Sequence, residues 1–450
     1  MFFTKKGDNM SKKIIVVGAN QTGLAFAYLA SKRGFEVTVY EAKEKSEVAY
    51  DWTDDMEESA FEDAGLPFPP ENLYTRKRCW TFIAPKKEKN VFVEIPADKL
   101  DLSIYRRPFN DWLLTLAENA GAVVRYSTKV RRAVAKDDRI IGVELESGDF
   151  VSAGLVADCG GVNSAVRRSL PESMKIQKNV APSDTFFVRR AFFDRPDGTA
   201  RPEFTNKAYL KHLGEAGISW CILSHDEKQA DVLIGRVGNM SDAVYENALD
   251  DIRRDNAIVG RELMKGGQLL QIPVRRPLPR FVARGYAAVG DSACMTIPML
   301  GSGMASGMKA AKILADTLSD SNCDVFGIAN LYRYQAEFMK QTGGKHAAVD
   351  MMKNWLLNSR DGEVDFLLNK GVVSKKILID ASAGRMVEMS VPEMAVAAVK
   401  GFAKLPLLLQ LAGLLAKMKK ECRVASNMPK TFDEKAFDDW SAAYEKPFKK

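Results

Sequence analysis

The chain has 450 residues, 46% of them apolar, enough for two or three domains with large cores. Its net charge of +7 is spread along the sequence and leaves no footprint for nucleic acid. Six scattered cysteines without a C-x-x-C pair, and three histidines without metal-ligand spacing, argue against a cysteine-ligated cluster, a zinc site and a histidine-based hydrolytic triad. The N-terminal segment MFFTKKGDNMSKK is charged and has no apolar run of secretory length, so reduced thiols and a cytoplasmic location are expected.

Lys13 to Val17 is a β-branched run ending in Gly18 and reads as a buried strand. Gly18-Ala19-Asn20-Gln21-Thr22-Gly23 turns the chain into an Ala/Leu-rich helix reaching Lys32, which Gly34 ends. Glu36 to Tyr40 is the next strand, and Glu41 closes it with an acid. Backbone N–H groups at such a helix N-terminus hold a pyrophosphate, and the acid accepts hydrogen bonds from a ribose diol. Strand, glycine turn, helix, strand and acid in this order form a dinucleotide-binding unit. Asn20 stands where the fingerprint has its middle glycine; asparagine tolerates unusual backbone angles and carries an N–H to offer a phosphate.

The strongly charged stretch 43–63 follows, with a short helix expected around Glu57 to Ala64 and stopped by Gly65 and Pro67. Strands are expected at 79–84 and 91–95, then a helix from Phe109 to Ala120 with Phe109, Leu113, Leu116 and Ala117 on one face. Val123 to Tyr126 is a strand, and Val130–Ala135 pairs with Arg139–Leu145 as a hairpin. Leu155 to Ala157 is a buried strand that runs into Asp158-Cys159-Gly160-Gly161. From 183 to 275 the character changes: strands at 184–192, 217–223 and 230–238, then a helix at 241–255, describe a second, sheet-rich unit inserted into the first. Residues 285–290 return as a strand, Asp291 follows, and a Gly/Met-rich loop leads into a helix at 302–318. Beyond 328 the pattern is mostly helical.

Three glycine-bearing motifs thus share one order: the turn at 18–23 with Glu41, Asp158-x-x-Gly161-x-x-Ser164-x-x-Arg167, and Gly290-Asp291 with Pro298, Gly301 and Gly303. This order resembles the FAD-dependent oxidoreductases of the p-hydroxybenzoate hydroxylase type over most of 13–320. Arg106, with Phe109, Asn110 and Leu113, matches their R-x-x-F-[DN]-x-x-L segment. Within that superfamily the chain is most similar to the geranylgeranyl reductase group, although only Trp220 remains of that group's Y-x-W-x-F-P segment at 217–223. The helical tail ending near Met428-Pro429 is also similar to that group. The resemblance implies an α/β fold: a Rossmann-like FAD-binding domain of the glutathione reductase/p-hydroxybenzoate hydroxylase type, an inserted β-rich substrate domain and a helical C-terminal region. The boundaries expected are 1–182 and 281–325 for FAD, 183–280 for an antiparallel substrate sheet, and 326–450 for the helices.

The resemblance further implies non-covalent FAD contacts at Gly18, Ala19, Asn20, Thr22, Gly23, Glu41, Ala42, Arg106, Val130, Cys159, Gly160, Asp291, Pro298, Gly301, Ser302, Gly303 and Met304. In it Arg106 holds the phosphates and the backbone of Val130 meets the adenine. Asp291, ending a strand, is placed to accept from ribityl hydroxyls. The turn at 301–303 aims a helix N-terminus at the flavin's N1/O2 edge, which favours the reduced, anionic ring. Pro298 is expected to shape the pocket wall. Trp220 either packs on a substrate or fills the second sheet's core. Trp52 either covers the cofactor or sits in an exposed acidic loop. Cys294 is either a proton donor to a substrate carbon or a buried bystander thiol. Ser164 and Arg167 either touch a phosphate or, for Arg167, pair with Arg168 on the surface.

The activity implied is reduction of C=C bonds in a hydrophobic, isoprenoid-like substrate by hydride from flavin N5. The alternatives are an NAD(P)H-dependent flavin monooxygenase, a dehydrogenase passing electrons to a quinone, and a flavoprotein without turnover. No second dinucleotide fingerprint occurs, which leaves NADPH or reduced ferredoxin as electron donor. The tail 391–423 carries the apolar run LPLLLQLAGLLA at 405–416, interrupted by Pro406 and Gly413 and flanked by Lys400, Lys404, Lys417, Lys419, Lys420 and Arg423. It reads either as a helix lying on an anionic membrane surface, giving peripheral, salt-sensitive association, or as a helix packed over the substrate domain.

Overall fold

The computed structural model describes residues 12–77, 79–87, 90–94, 101–299, 301–319, 324–382 and 390–449. Its first sheet grows outward from strand Lys13–Val17, which pairs in parallel with Glu36–Tyr40 on one side and Leu155–Asp158 on the other. The full order is 282–283, 286–288, 155–158, 13–17, 36–40, 123–125, and only the outermost pair, 282–283 with 286–288, is antiparallel. A parallel strand covered on both faces needs an unbroken apolar run, which explains Ile14-Ile15-Val16-Val17. Helix Gln21–Lys32 packs between Arg106–Asn119 and Met304–Ser319, and Leu24, Phe26, Phe109 and Leu314 are fully buried there. Close approach of two helices sets Gly307: a Cβ at that position would lie 2.2 Å from Thr22 Oγ1.

The second sheet has seven strands in the order 263–273, 185–194, 229–237, 217–223, 206–210, 79–83, 90–94. Its last two strands come from a segment expected to belong to the first FAD-binding part, and 206–210 runs parallel to 79–83, so the sheet is mixed rather than purely antiparallel. The sheet therefore reaches across the 182/183 boundary. A small third sheet, 53–56 with 101–105 and 74–77, links the two. The expected hairpin forms from Val130–Lys136 and Arg139–Leu145 and gains a third strand, Phe150–Ser152.

The C-terminal region is helical, as expected. Ile328–Phe338 continues through a π-helical turn, Met339–Gly343, into Gly344–Asn358. The last helix, Glu434–Glu445, buries Phe437, Trp440 and Tyr444, and Tyr444 donates a 2.9 Å hydrogen bond to the Pro277 carbonyl. Arg276 holds this corner together, pairing with buried Asp350 at 3.2 Å and with Glu445 at 2.7 Å. Pro406 and Gly413 do not interrupt the tail. Pro406 occupies the first turn of Leu405–Ser426, where its missing N–H has no intrahelical partner to lose, and the helix runs through Gly413. Pro392–Ser426, mean hydropathy 1.4 in its most apolar window, is by length and composition long and apolar enough to cross a membrane, and 11% of that window is buried.

Candidate functional site

The glycine turn works by division of labour. Gly18 takes φ +102°, and a Cβ there would lie 2.7 Å from the Cys159 carbonyl. Asn20, by contrast, has ordinary extended angles (φ −76°, ψ 176°), so the missing middle glycine costs nothing in backbone strain. Its side chain caps the helix, accepting from Gly23 N–H at 3.1 Å and donating to the Cys159 carbonyl at 2.7 Å. That uses the oxygen and one of the two N–H donors of the Asn20 amide within the protein. Gly23 allows the helix to meet the strand: a Cβ would lie 2.0 Å from the Gly18 carbonyl. Glu41 turns back over this turn, accepting from Ala19 N–H at 2.8 Å and from Lys43 N–H at 3.0 Å.

These residues open onto one cavity of about 920 Å³ between the parallel sheet and the seven-stranded sheet. Around the glycine turn it is lined by Gly18, Asn20, Thr22, Glu41, Ala42, Arg106, Val130, Cys159 and Gly160. Ala19 and Gly23 do not line it; they are buried behind the turn. Arg106 pairs with Asp54 at 2.6 Å, donates to Gln21 at 3.2 Å, and lies over the rings of Tyr50 and Trp52 at 5.1 and 5.8 Å. Trp52 is thereby not in an exposed loop: it is half-buried, its ring tilted against that of Tyr50 with centroids 4.6 Å apart, and it lines the cavity.

Asp291, Gly301, Ser302, Gly303 and Met304 line the same cavity. Asp291 accepts from Thr296 Oγ1 at 2.7 Å, and burial raises its carboxyl above the ordinary range. Gly303 keeps this carboxylate accessible, since a Cβ there would lie 3.0 Å from Asp291 Oδ1. Two expectations fail in this loop. Pro298 is buried, and its neighbour Ile297 forms the wall instead. Cys294 is fully buried outside the lining, in a left-handed conformation (φ 57°), and burial pushes its thiol up to about 11. It is the bystander, not a proton donor to substrate.

Arg167 also departs from both of its readings. It is fully buried, bonded to the carbonyls of Val162, Lys178 and Ser292, and it pins the loops together; Arg168 alone is at the surface. Ser164 caps helix 165–168 and donates to Asp158 at 2.6 Å, while it lines the cavity.

The far end of the cavity is the inner face of the seven-stranded sheet, where Trp80, Phe82, Phe186, Val188, Ile218, Trp220, Leu233 and Ile272 present an apolar wall. Trp220 belongs to this wall. Sequence reasoning missed Arg190, which is buried against it. Arg190 is held by Asp231 at 2.5 and 2.8 Å and by Thr53, and lies 5.3 and 5.2 Å from the Trp52 and Trp220 rings. Tyr50 and the helical residues Gln341, Thr342, Lys345 and His346 also line the cavity and were not expected. The acidic flank of Tyr50 reads as surface, and the helix lies some forty residues beyond the last motif, so no local signal marks them. Among the described residues no group of three or more His, Cys, Asp or Glu side chains could hold a metal ion.

Residues 16–54 match a family of NAD(P)-binding Rossmann-like domains. A digeranylgeranylglycerophospholipid reductase of Sulfolobus acidocaldarius is 21% identical over 433 residues, covering 93% of each chain. Digeranylgeranylglycerophospholipid reductase 2 of Methanopyrus kandleri is 26% identical over 353 residues, 74% of this chain and 84% of the relative. Among solved structures, a geranylgeranyl bacteriochlorophyll reductase-like protein from Thermoplasma acidophilum superposes with a TM-score of 0.72 at 17% identity, over 89% of this chain and 98% of its own. Along most of its length the chain is thus similar to digeranylgeranylglycerophospholipid reductases, and it shares the fold of a geranylgeranyl bacteriochlorophyll reductase-like protein.

Proposed function

We propose that the protein is an FAD-dependent reductase that saturates C=C bonds of a hydrophobic, isoprenoid-like molecule. The observation that carries this reading is the single cavity that joins the nucleotide-binding turn to an apolar sheet face. The residues fit FAD: Gly18 leaves room at the turn, Glu41 offers a carboxylate at the ribose end, and Gly303 leaves Asp291 open. When bound, the flavin supplies a hydride at N5. Glu41 would accept from the ribose hydroxyls, Arg106 would neutralise phosphate charge, and Asp291 would orient the ribityl chain. Helix 304–319, entered through Gly301-Ser302-Gly303, would stabilise negative charge on a reduced ring held at its N-terminus, by about 0.3–2 kcal/mol. The apolar wall around Trp80, Phe82 and Trp220 excludes water and holds the substrate's hydrocarbon.

The Rossmann-like match at 16–54 falls on this same unit and supplies no second nucleotide site. On this reading the electron donor is a transiently bound NADPH or a reduced ferredoxin. Peripheral contact with an anionic membrane belongs to the same reading. Val396, Val399, Phe402, Leu405 and Leu409 are exposed on the tail, up to 80% for Val399, and Lys417, Lys419 and Lys420 are exposed beside them.

The test is anaerobic. Protein with fully reduced flavin is mixed with a prenyl alcohol; return of the oxidised-flavin absorbance at a rate that follows alcohol concentration supports the proposal. Reoxidation by oxygen alone, with none by the alkene, overturns it.

A further inference from the structure

FAD carries its two phosphates between the ribose of its adenosine half and the ribityl chain of its flavin half. The acids read here as holding those two parts, Glu41 and Asp291, both line the cavity. A side chain in reach of both acids is therefore beside the phosphates, and Tyr50 is such a side chain. It is half-buried and lines the same cavity. Its hydroxyl feels the charges of Arg106, Asp291, Asp54 and Glu41, all four of them cavity-lining. Charges from two separate elements, the end of strand 36–40 and the turn after 286–288, thus act on this one oxygen and fix it on the inner side of its loop.

Three contacts hold the ring. Its centroid is 4.6 Å from that of Trp52, 5.1 Å from the Arg106 guanidinium and 5.9 Å from Lys43 Nζ. The hydroxyl is left over. It bonds to no described residue, and it is not sealed in as the unpartnered indole N–H groups of Trp52 and Trp220 are. Burial raises its proton affinity above the ordinary phenol value, so it keeps its proton and is a donor. Phosphate oxygens are acceptors, and a bond from a neutral donor to a charged acceptor is among the stronger kinds. The neighbouring cation is already engaged: Arg106 pairs with Asp54 at 2.6 Å and donates to Gln21 at 3.2 Å. A neutral donor beside that pair adds a phosphate contact without a further counterion.

Resting on the FAD reading, we propose that Tyr50 is a further cofactor-binding residue whose hydroxyl donates to a phosphate oxygen of the dinucleotide. Arg106 and Trp52 set the ring's position, so the donor is in place before the cofactor arrives.

The test removes the hydroxyl and keeps the ring. Full-length holoprotein is diluted in steps, and the FAD released is read from its fluorescence. ADP, which carries the two phosphates without the flavin, is titrated calorimetrically into the same full chain stripped of flavin. In Tyr50→Phe the dissociation constants for FAD and for ADP should both rise about tenfold or more. Tyr50→Leu serves in its place if the phenylalanine variant does not fold. An FAD dissociation constant within twofold of wild type overturns the assignment of Tyr50 and leaves the FAD reading intact. A loss for FAD with ADP affinity unchanged, or with no ADP binding in either protein, overturns the phosphate as its partner. Wild-type protein that holds no FAD overturns the cofactor reading and this assignment together.

Discussion

Replacing Glu41 by alanine separates what this carboxylate does for the chain from what it does for a nucleotide. In the protein its two oxygens accept from Ala19 N–H at 2.8 Å and Lys43 N–H at 3.0 Å, and Ala19 is fully buried. Leaving the Ala19 N–H unpaired costs about 1–3 kcal/mol of stability. Toward FAD the loss is larger in principle, since two hydroxyl bonds to a charged acceptor are worth about 1.5–3 kcal/mol each. The ribose hydroxyls regain water when released, so about 3 kcal/mol is a fair net figure, or roughly 150-fold in dissociation constant. Glu41→Gln keeps an acceptor oxygen for Ala19 but loses the charge, and should fall between the two. Titration calorimetry of apoprotein with FAD, alongside circular dichroism to certify the fold, measures both. A folded Glu41→Ala protein whose FAD affinity matches wild type within twofold refutes the placement of the ribose.

Asp291→Ala should lower both flavin occupancy and turnover, because the open carboxylate beside Gly303 is gone; full occupancy with full turnover removes Asp291 from the site. Glu421 gives a pH prediction. Burial raises its carboxyl from 4.5 to about 7, and its Oε1 has no partner among the described residues. A raised carboxyl favours the protonated fold, so its contribution is intact below about pH 4.5 and is lost as pH rises toward 7. Glu421→Gln should thus melt higher than wild type near pH 8, by about 1–2 kcal/mol of stability, and alike near pH 4; an equal gain at both pH values contradicts this. Flotation with anionic liposomes at low salt should carry the protein upward, and the pair Val399→Glu and Phe402→Glu should leave it at the bottom; flotation unaffected by the pair removes the tail as the contact.

Much of the fold is legible because a few local signals are strong. The apolar run at 14–17, the glycines at 18 and 23 and the acid at 41 specify strand, turn, helix and strand without help from the rest of the chain. The third sheet is not legible in the same way: Thr53-Asp54-Asp55-Met56 is an acidic strand, stabilised by pairing with 101–105 and by the Arg106–Asp54 ion pair rather than by its own pattern. Strand 263–273 is hidden by Gly266 and Gly267, both at positive φ and opposite a register shift in its partner. Cys294 shows the limit of spacing arguments at the site. Three residues after Asp291 sounds close to the flavin, yet the left-handed turn sends the thiol into the core. Trp52 errs the other way, since its acidic neighbours Asp54 and Asp55 are engaged by Arg106 and Ser103. His346 has no sequence signal; only the packing of the C-terminal helices against the cavity brings it there.

The central claim is that hydrogen, not oxygen, is delivered to a carbon–carbon double bond in this cavity. Mass spectrometry of the product after anaerobic turnover in deuterium oxide, with chemically reduced flavin and a prenyl alcohol, tests it most directly. The account predicts a saturated product carrying deuterium at both former alkene carbons. An unchanged alcohol under these conditions, with an oxygenated product appearing only when air and NADPH are supplied, would contradict it.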